Sequence, residues 1–424
     1  MSTPSTGELL QIAAEVEDNL HRQVLAQWFP RAVDPAGGFH QNYAEDWSRL
    51  PGDDRSVVYQ SRLTWLAAQA AQRFPHHSPG YLNDARHGFY CLRDRLWDTK
   101  NGGFFWAVDG AGEPARGGEK HVYGVSFAIY ALAALYHASK DGAVLSLAQA
   151  AFGWLQAHAH DTVNGGWHES LSRTNVPILA PAGGGGSDAL GTRQGCKSMN
   201  THIHLLESLA ALCEARPSQP LREALLEVFL VVRDKVAVES AGYLNLFFTP
   251  DWKVQPDHDS YGHDVETAFL LVEGSAVLGL PHDPRTWALA RRIVDHALGF
   301  GWDTKNGGFY DSGGASGPIL DRNKIWWVQA EGLNALLLMD SKFGRETGHY
   351  WDAFLRQWRF IQNHQTDPKH GGWLSEVAEN GDTLPGRVKS DSWTEGYHQG
   401  RALLTVSATL RKMASRSNET RQKG

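Results

Sequence analysis

The chain has 424 residues, 42% hydrophobic and 21% charged, the composition of a globular protein long enough to bury a sizeable core. A net charge of −7 and a pI near 6.3 give no electrostatic reason to expect nucleic acid or an anionic membrane as partner. Residues 1–7 lack the basic and apolar regions of a signal peptide, and no stretch nears the roughly 18 consecutive apolar residues of a membrane span.

Cys91, Cys196 and Cys213 lack metal-ligand spacing, so the expectation is a cytoplasmic protein with free thiols. A glycine-aromatic phrase orders the predicted elements. It reads Ala36-Gly37-Gly38-Phe39, Asn101-Gly102-Gly103-Phe104, Asn164-Gly165-Gly166-Trp167, a degenerate Ala241-Gly242-Tyr243, Asn306-Gly307-Gly308-Phe309 and His370-Gly371-Gly372-Trp373. The last glycines of successive phrases lie 65, 63, 76, 66 and 64 residues apart. Each phrase reads as a turn, because glycine reaches positive φ and asparagine or aspartate starts turns. About 64 residues fit two helices of about 15–20 residues plus loops. Residues 123–138 with 143–157, and 199–215 with 220–236, are such pairs. Six helical hairpins without a polar capping repeat predict closure into an all-α (α/α)6 barrel, with an open superhelix as the alternative. One barrel domain over residues 1–414 and a frayed polar tail over 415–424 complete the expected organisation.

In each repeat one helix should line the centre and carry polar residues that a solvated outer face does not explain. The first, 57–71, holds Arg62 within an apolar pattern. His121 and Tyr123 open the second, where a histidine caps a helix as readily as it catalyses. The third contains Asn200, His204 and Glu207, with Asn200 and His204 on one face. Before it, the glycine-rich run from Ala180 to Asp188 is either a lid or a plain insert. The fourth begins Ser260-Tyr261-Gly262-His263-Asp264-Val265-Glu266 and turns helical after Gly262, which reads as a cap or turn residue. His263 and Glu266 repeat the spacing of His204 and Glu207. A histidine and a carboxylate at a helix mouth are the parts of an acid/base site, or a capping histidine beside a solvated glutamate. The fifth carries Trp326, Trp327, Gln329 and Glu331, which suit a sugar or a core with a polar rim. In the sixth, Trp393 and Glu395 precede Tyr397-His398. Histidines near the mouths of four of the six inner helices point to one shared central pocket.

A histidine cluster with carboxylates also suits a metal, but no His-x-x-x-His pair of the zincin type occurs among these residues. The one Glu-x-x-His, Glu395 to His398, is half of what a di-iron site needs. No phosphate-binding glycine loop or dinucleotide fingerprint appears either. The expectation is therefore proton transfer by histidines without metal or cofactor.

The runs Asn200 to Glu207, Ser260 to Glu266, Trp326 to Glu331 and Tyr397 to Arg401 resemble the N-acylglucosamine 2-epimerase superfamily, closest to its cellobiose and mannose 2-epimerase branch. The resemblance implies an (α/α)6 barrel and reversible proton transfer at C2 of a reducing-end sugar. It makes His263 and His398 the two acid/base groups on opposite faces of C2, and sets His204 and Arg62 beside the sugar oxygens. It gives Glu266 the orienting or tuning of His263, Tyr123 and Asn200 contact with the sugar, and Trp326 and Trp393 stacking; Glu331 joins the substrate-binding set. Thr394-Glu395-Gly396 stands where cellobiose-acting relatives carry a Lys-Cys-Pro-like run, and the loop before Asn200 is long and glycine-rich. Both features lean towards a monosaccharide, the mannose/glucose pair, acted on by a monomer or homodimer. Cellobiose epimerisation, mannose–fructose isomerisation, glycoside hydrolysis on the same barrel and a non-enzymatic helical-repeat binder are the competing readings.

Overall fold

The computed structural model describes residues 4–179 and 185–422. Among them, twelve helices alternate between an outer and an inner layer. The outer six are α1 (Thr6–Asn19), α3 (Ser78–Cys91), α5 (Gly142–Trp154), α7 (Gln219–Val231), α9 (Pro284–Phe300) and α11 (His349–Phe360). The inner six are α2 (Val57–Arg73), α4 (Val122–Ser139), α6 (Met199–Ala215), α8 (Tyr261–Val277), α10 (Trp326–Thr347) and α12 (Tyr397–Gln422). Each inner helix packs on the next, and α12 returns to α2, so the ring is closed as an (α/α)6 barrel. The inner helices are buried nearly all round, as helices apolar on every face must be. One of them, α4, is long and apolar enough to cross a membrane, yet here it is an inner staff of the barrel. The polar stretch from Ser415 was expected to fray; α12 instead runs through it to Gln422.

The chain ends close the ring. Outer helix α1 packs on α12. The indole of Trp373 donates to Asn19 and the amide of Gly372 to Gln23, each at 2.9 Å, tying the sixth turn to the N-terminal segment. At the mouth, the two residues before an inner helix pair antiparallel with the hairpin of the following repeat: Arg55–Ser56 with Ala107–Val108, Lys120–His121 with Ser170–Leu171, and so round the ring. The last such pairing joins Ser390 to Tyr43 of the first repeat. All six inner helices therefore begin at the same end.

The glycine phrases are the turns expected of them. Gly102 and Gly103 have φ of 72° and 75°, and Gly165 and Gly166 repeat the geometry. A Cβ at Gly103 would lie 2.6 Å from the Trp154 ring, so small size is required there as well as positive φ.

A buried ion pair locks each such turn to its inner helix. The turn aspartate accepts the backbone and side chain of its own asparagine and then a cation from just before the inner helix. Lys120 meets Asp98 at 3.0 Å, Lys197 meets Asp161 at 2.7 Å and Lys324 meets Asp303 at 2.8 Å. Lys389 serves Asp367, and Arg55 serves Asp34. The lysines also bind turn carbonyls, as Lys197 does with Gly165 at 2.6 Å and Pro250 at 3.0 Å. Burial alone would raise the pKa of Asp98 and Asp303; the lysine and the turn donors hold each down at about 2.

The fourth repeat breaks the rule on both sides at once. Ala237 replaces the turn aspartate and Asp259 replaces the cation. Asp259 bonds His296 of α9 at 2.8 Å and lies against Asp264, with no lysine or arginine joining them among the described residues. Burial, then the Asp259 carboxylate, push Asp264 well above the usual carboxylate range.

Two outcomes follow from these pairs. Lys197→Met leaves Asp161 buried without its cation and should cost about 3–5 kcal/mol in denaturant unfolding, whereas Lys197→Met with Asp161→Asn should cost much less. Asp264 is neutral when folded but ionised when unfolded above about pH 4. Its stabilising contribution is therefore full below that pH and is lost as pH rises towards its folded value. Asp264→Asn should then gain thermal stability over the unmodified protein progressively from pH 5 to pH 8; a constant difference across that range would contradict the assignment.

Candidate active site

The mouths of the inner helices surround an open cavity of about 260 Å³. Arg62, Tyr123, Asn200, His204, His263, Glu266, Trp326, Trp327 and His398 line it from the first two turns of the inner helices, and Leu190 and Trp393 from loops. Nine of the ten residues that the resemblance assigns to the site thus meet in one place. Glu331 does not border the cavity: it is fully buried behind His398. His121 also stays outside. Its Nδ1 accepts the Tyr123 amide at 3.2 Å, so it caps α4, and its Nε2 bonds Asp188 at 2.9 Å.

Each of the two central imidazoles is tethered through Nδ1. His398 bonds Glu331 at 2.7 Å, and His263 bonds the Ser260 hydroxyl at 2.8 Å. That leaves Nε2 of each as the ring nitrogen free to exchange a proton in the cavity. Ser260 occupies the capping position of α8, where Ser56 and Ser198 cap α2 and α6 by accepting Tyr59 and Thr201 amides. Ser260 gives up that role to hold His263. Trp327 lies against both rings, with centroids 4.8 Å from His263 and 5.5 Å from His398. Gly262, read from sequence as a cap or turn residue, lies inside α8; its reason is Trp327, which a Cβ there would approach to 2.5 Å.

Glu266 was expected to orient or tune His263; its charge does oppose the burial that lowers His263, but no hydrogen bond between the two is found among the described residues. Glu266 instead accepts the guanidinium of Arg401, and its Oε1 lies 3.9 Å from Nδ1 of His398. Arg401 gathers three buried carboxylates, Glu207, Glu266 and Glu331. Glu207 in turn bonds His204 Nδ1 at 3.1 Å and the Tyr397 hydroxyl at 2.6 Å. The equal spacing of His204–Glu207 and His263–Glu266 therefore gives a bonded pair in one helix and a separated pair in the other. Glu266, Glu331 and His398 have the donor atoms of a small metal site, but the Arg401 guanidinium already binds both carboxylates. Arg62 bonds Glu395 at 2.8 Å and the Tyr123 hydroxyl at 3.0 Å. Glu395 thus neutralises Arg62 from the segment that departs from the cellobiose-acting pattern.

Burial dominates the proton affinities. It pushes His263 down to about 4 and His398 well below the usual imidazole range, so both rings are neutral near pH 7. It pushes Glu331 up against the opposing pull of Arg401. Burial would also raise Glu207, but Arg401 and His204 hold it at about 2. Glu266 is the one carboxylate bordering the cavity, so the two flanking carboxylates of a glycosidase are not among the described lining residues. Buried Asn200 Oδ1 and Trp326 Nε1 have no hydrogen-bond partner, an acceptor and a donor set for a polar ligand.

An (α/α)6 barrel whose central pocket gathers histidines, tryptophans, an unpaired amide oxygen and an unpaired indole N–H suits proton transfer on a polar, hydroxylated ligand. The family model for N-acylglucosamine 2-epimerase matches residues 37–402, and the chain belongs to that family. A cellobiose 2-epimerase of Bacteroides fragilis is 29% identical over 92% of this chain and 97% of its own. A D-mannose isomerase of Marinomonas mediterranea is 26% identical over 97% and 100%. The solved cellobiose 2-epimerase of Spirochaeta thermophila superposes with a TM-score of 0.85 at 31% identity, covering 96% of this chain and 98% of that one.

Glu331→Gln tests the tether. An amide supports an imidazolium at His398 less well than a carboxylate. Turnover should fall on the order of 10²-fold, the low end of what a positioned acid/base group contributes. KM should stay nearly constant, because Glu331 does not border the cavity; steady-state kinetics separates the two.

Proposed function

We propose that the enzyme interconverts D-mannose and D-glucose by epimerising C2 of the open-chain aldose. The observation that carries this reading is the pair of neutral imidazoles, His263 and His398, each tethered at Nδ1 and both packed on Trp327. One imidazole takes the C2 proton at Nε2 and becomes an imidazolium, leaving an enediolate; the other, having taken up a solvent proton at Nε2, gives that proton to the opposite face and returns to neutral, and the first then releases its proton to water. The Glu331 tether and nearby Glu266 stabilise the imidazolium at His398 as it forms. His204 and Arg62 are placed to meet the developing oxyanion, and Asn200 and Trp326 to bond hydroxyls. Trp393, 38% exposed at the rim, offers a face for the sugar ring. The reading includes no metal or nucleotide cofactor, and three unbridged cysteines suit the cytoplasm.

The name of the Marinomonas relative favours a second reading, in which the proton returns to C1 and the product is fructose. The Bacteroides relative favours cellobiose as substrate.

Incubation with mannose, and separately with cellobiose, in D2O and proton NMR decide among these. Glucose carrying deuterium at C2 is the expected product from mannose. Fructose as main product would move the assignment to the isomerase, and epimerised cellobiose to the disaccharide. His263→Ala and His398→Ala should each lower epimerisation by about 10²–10⁴-fold or more. Each single variant should still wash deuterium into C2 from the one epimer that its remaining histidine serves.

A further inference from the structure

Leu190 stands apart from the other residues that line the cavity. The other ten are polar or aromatic; Leu190 is aliphatic. Nine come from inner helices, whereas Leu190 and Trp393 come from the loops before α6 and α12. Those two therefore border the cavity at the loop end of the barrel, beyond the N-termini of the inner helices.

The position of Leu190 is fixed by one buried carboxylate. Asp188 Oδ1 accepts the Leu190 amide at 2.9 Å and the Thr192 amide at 2.8 Å, which shapes the loop tip. Its Oδ2 bonds His121 Nε2 at 2.9 Å, and Nδ1 of that ring accepts the Tyr123 amide. Since Nδ1 accepts, Nε2 carries the hydrogen and donates to Asp188. Leu190 is thus bolted through Asp188 and His121 to the helix end that presents Tyr123 to the cavity. Both bolt residues are buried. The part of the glycine-rich run read as lid or insert that covers residues 180–184 lies outside the described residues, and the bolt does not involve it.

We propose that Leu190 is a specificity-determining residue that closes the rim to a second sugar and confines the enzyme to monosaccharides. This rests on the epimerase reading above and deepens it. An isobutyl side chain offers no donor or acceptor, so hydroxyls of a second pyranose at the rim would lose water without gaining a partner. A single open-chain hexose, held by groups on the inner helices, does not meet that cost.

The test measures kcat/KM for mannose and for cellobiose by C2-deuterium exchange in the unmodified protein, in Leu190→Ala and in Asp188→Ala. Leu190→Ala removes the wall. Asp188→Ala removes the bolt without altering a cavity residue. The unmodified protein should prefer mannose, and both variants should shift the cellobiose-to-mannose ratio towards cellobiose by about ten-fold or more. Thermal unfolding of Leu190→Ala should stay unchanged. A ratio that does not move, an equal loss on both sugars, or an unmodified protein that prefers cellobiose would each overturn the role of Leu190. If no protein exchanges deuterium into either sugar, the epimerase reading itself fails, and this proposal with it.

Discussion

The barrel depends on a buried cation reaching back into five of its six turns. A tight turn with two left-handed glycines is entropically costly and leaves several carbonyls pointing inward. The aspartate collects the turn's amides, and the lysine takes both the aspartate and the carbonyls, so one ammonium satisfies a turn that lacks a sheet of its own. The same lysine precedes the inner helix, so the clamp also sets where that helix starts. Repeated round the ring, it brings the inner helices' first turns, and hence the lining residues, to one level. The repeats also act as internal controls. In the fourth, aspartate and cation are both absent, the expected result when removal of one partner alone would leave an unpaired buried charge.

The same comparison shows what function has altered. Capping serines at α2 and α6 satisfy backbone amides, whereas the equivalent Ser260 is diverted to the His263 imidazole that lines the cavity. A helix cap is worth about 1 kcal/mol, a modest loss set against fixing one ring. The two histidines are consequently unequal. His398 leans on a carboxylate that shares Arg401 with two others, and His263 on a neutral hydroxyl. Arg401 holds that carboxylate group together, since without it three buried acids would face one another.

Much of the barrel was legible because a 64-residue period survives in a few glycines and aromatics. Closure followed from the repeat count, and the first-turn position of most lining residues followed from helical phase. What sequence could not resolve was which partner each polar group chooses. Glu266 and Glu207 sit at identical spacing from a histidine, and Arg401 binds both, yet only Glu207 also bonds the histidine of its own helix. Glu331 looked like a sugar ligand because its neighbours are tryptophans; one helical turn moves it behind His398. Ser260 and Leu190 were passed over, and Trp327 was left between sugar platform and core, for different reasons. Trp327 was indistinguishable from core, Ser260 from an ordinary cap, and Leu190 from any loop aliphatic. Only the lysine two places before α4, α6 and α10 was available in the sequence and unread, since its meaning lies in a contact some 20–40 residues back.

On the epimerase reading, the low polarity that depresses both histidines does not oppose the chemistry. Moving a proton from C2 to imidazole creates an anion and a cation together, so the cavity gains an ion pair and no net charge. Each half has its own support. Six helix N-termini converge on the mouth, and their partial positive charge favours the enediolate. Glu331 bonds His398 from behind, Glu266 lies 3.9 Å from Nδ1 of the same ring, and both carboxylates favour the imidazolium. In a water-filled cleft both effects would be screened; among buried side chains they act at close to full strength. The burial that keeps the resting imidazoles neutral, and so able to accept a proton, therefore also strengthens the fixed charges that stabilise the pair once the proton has moved.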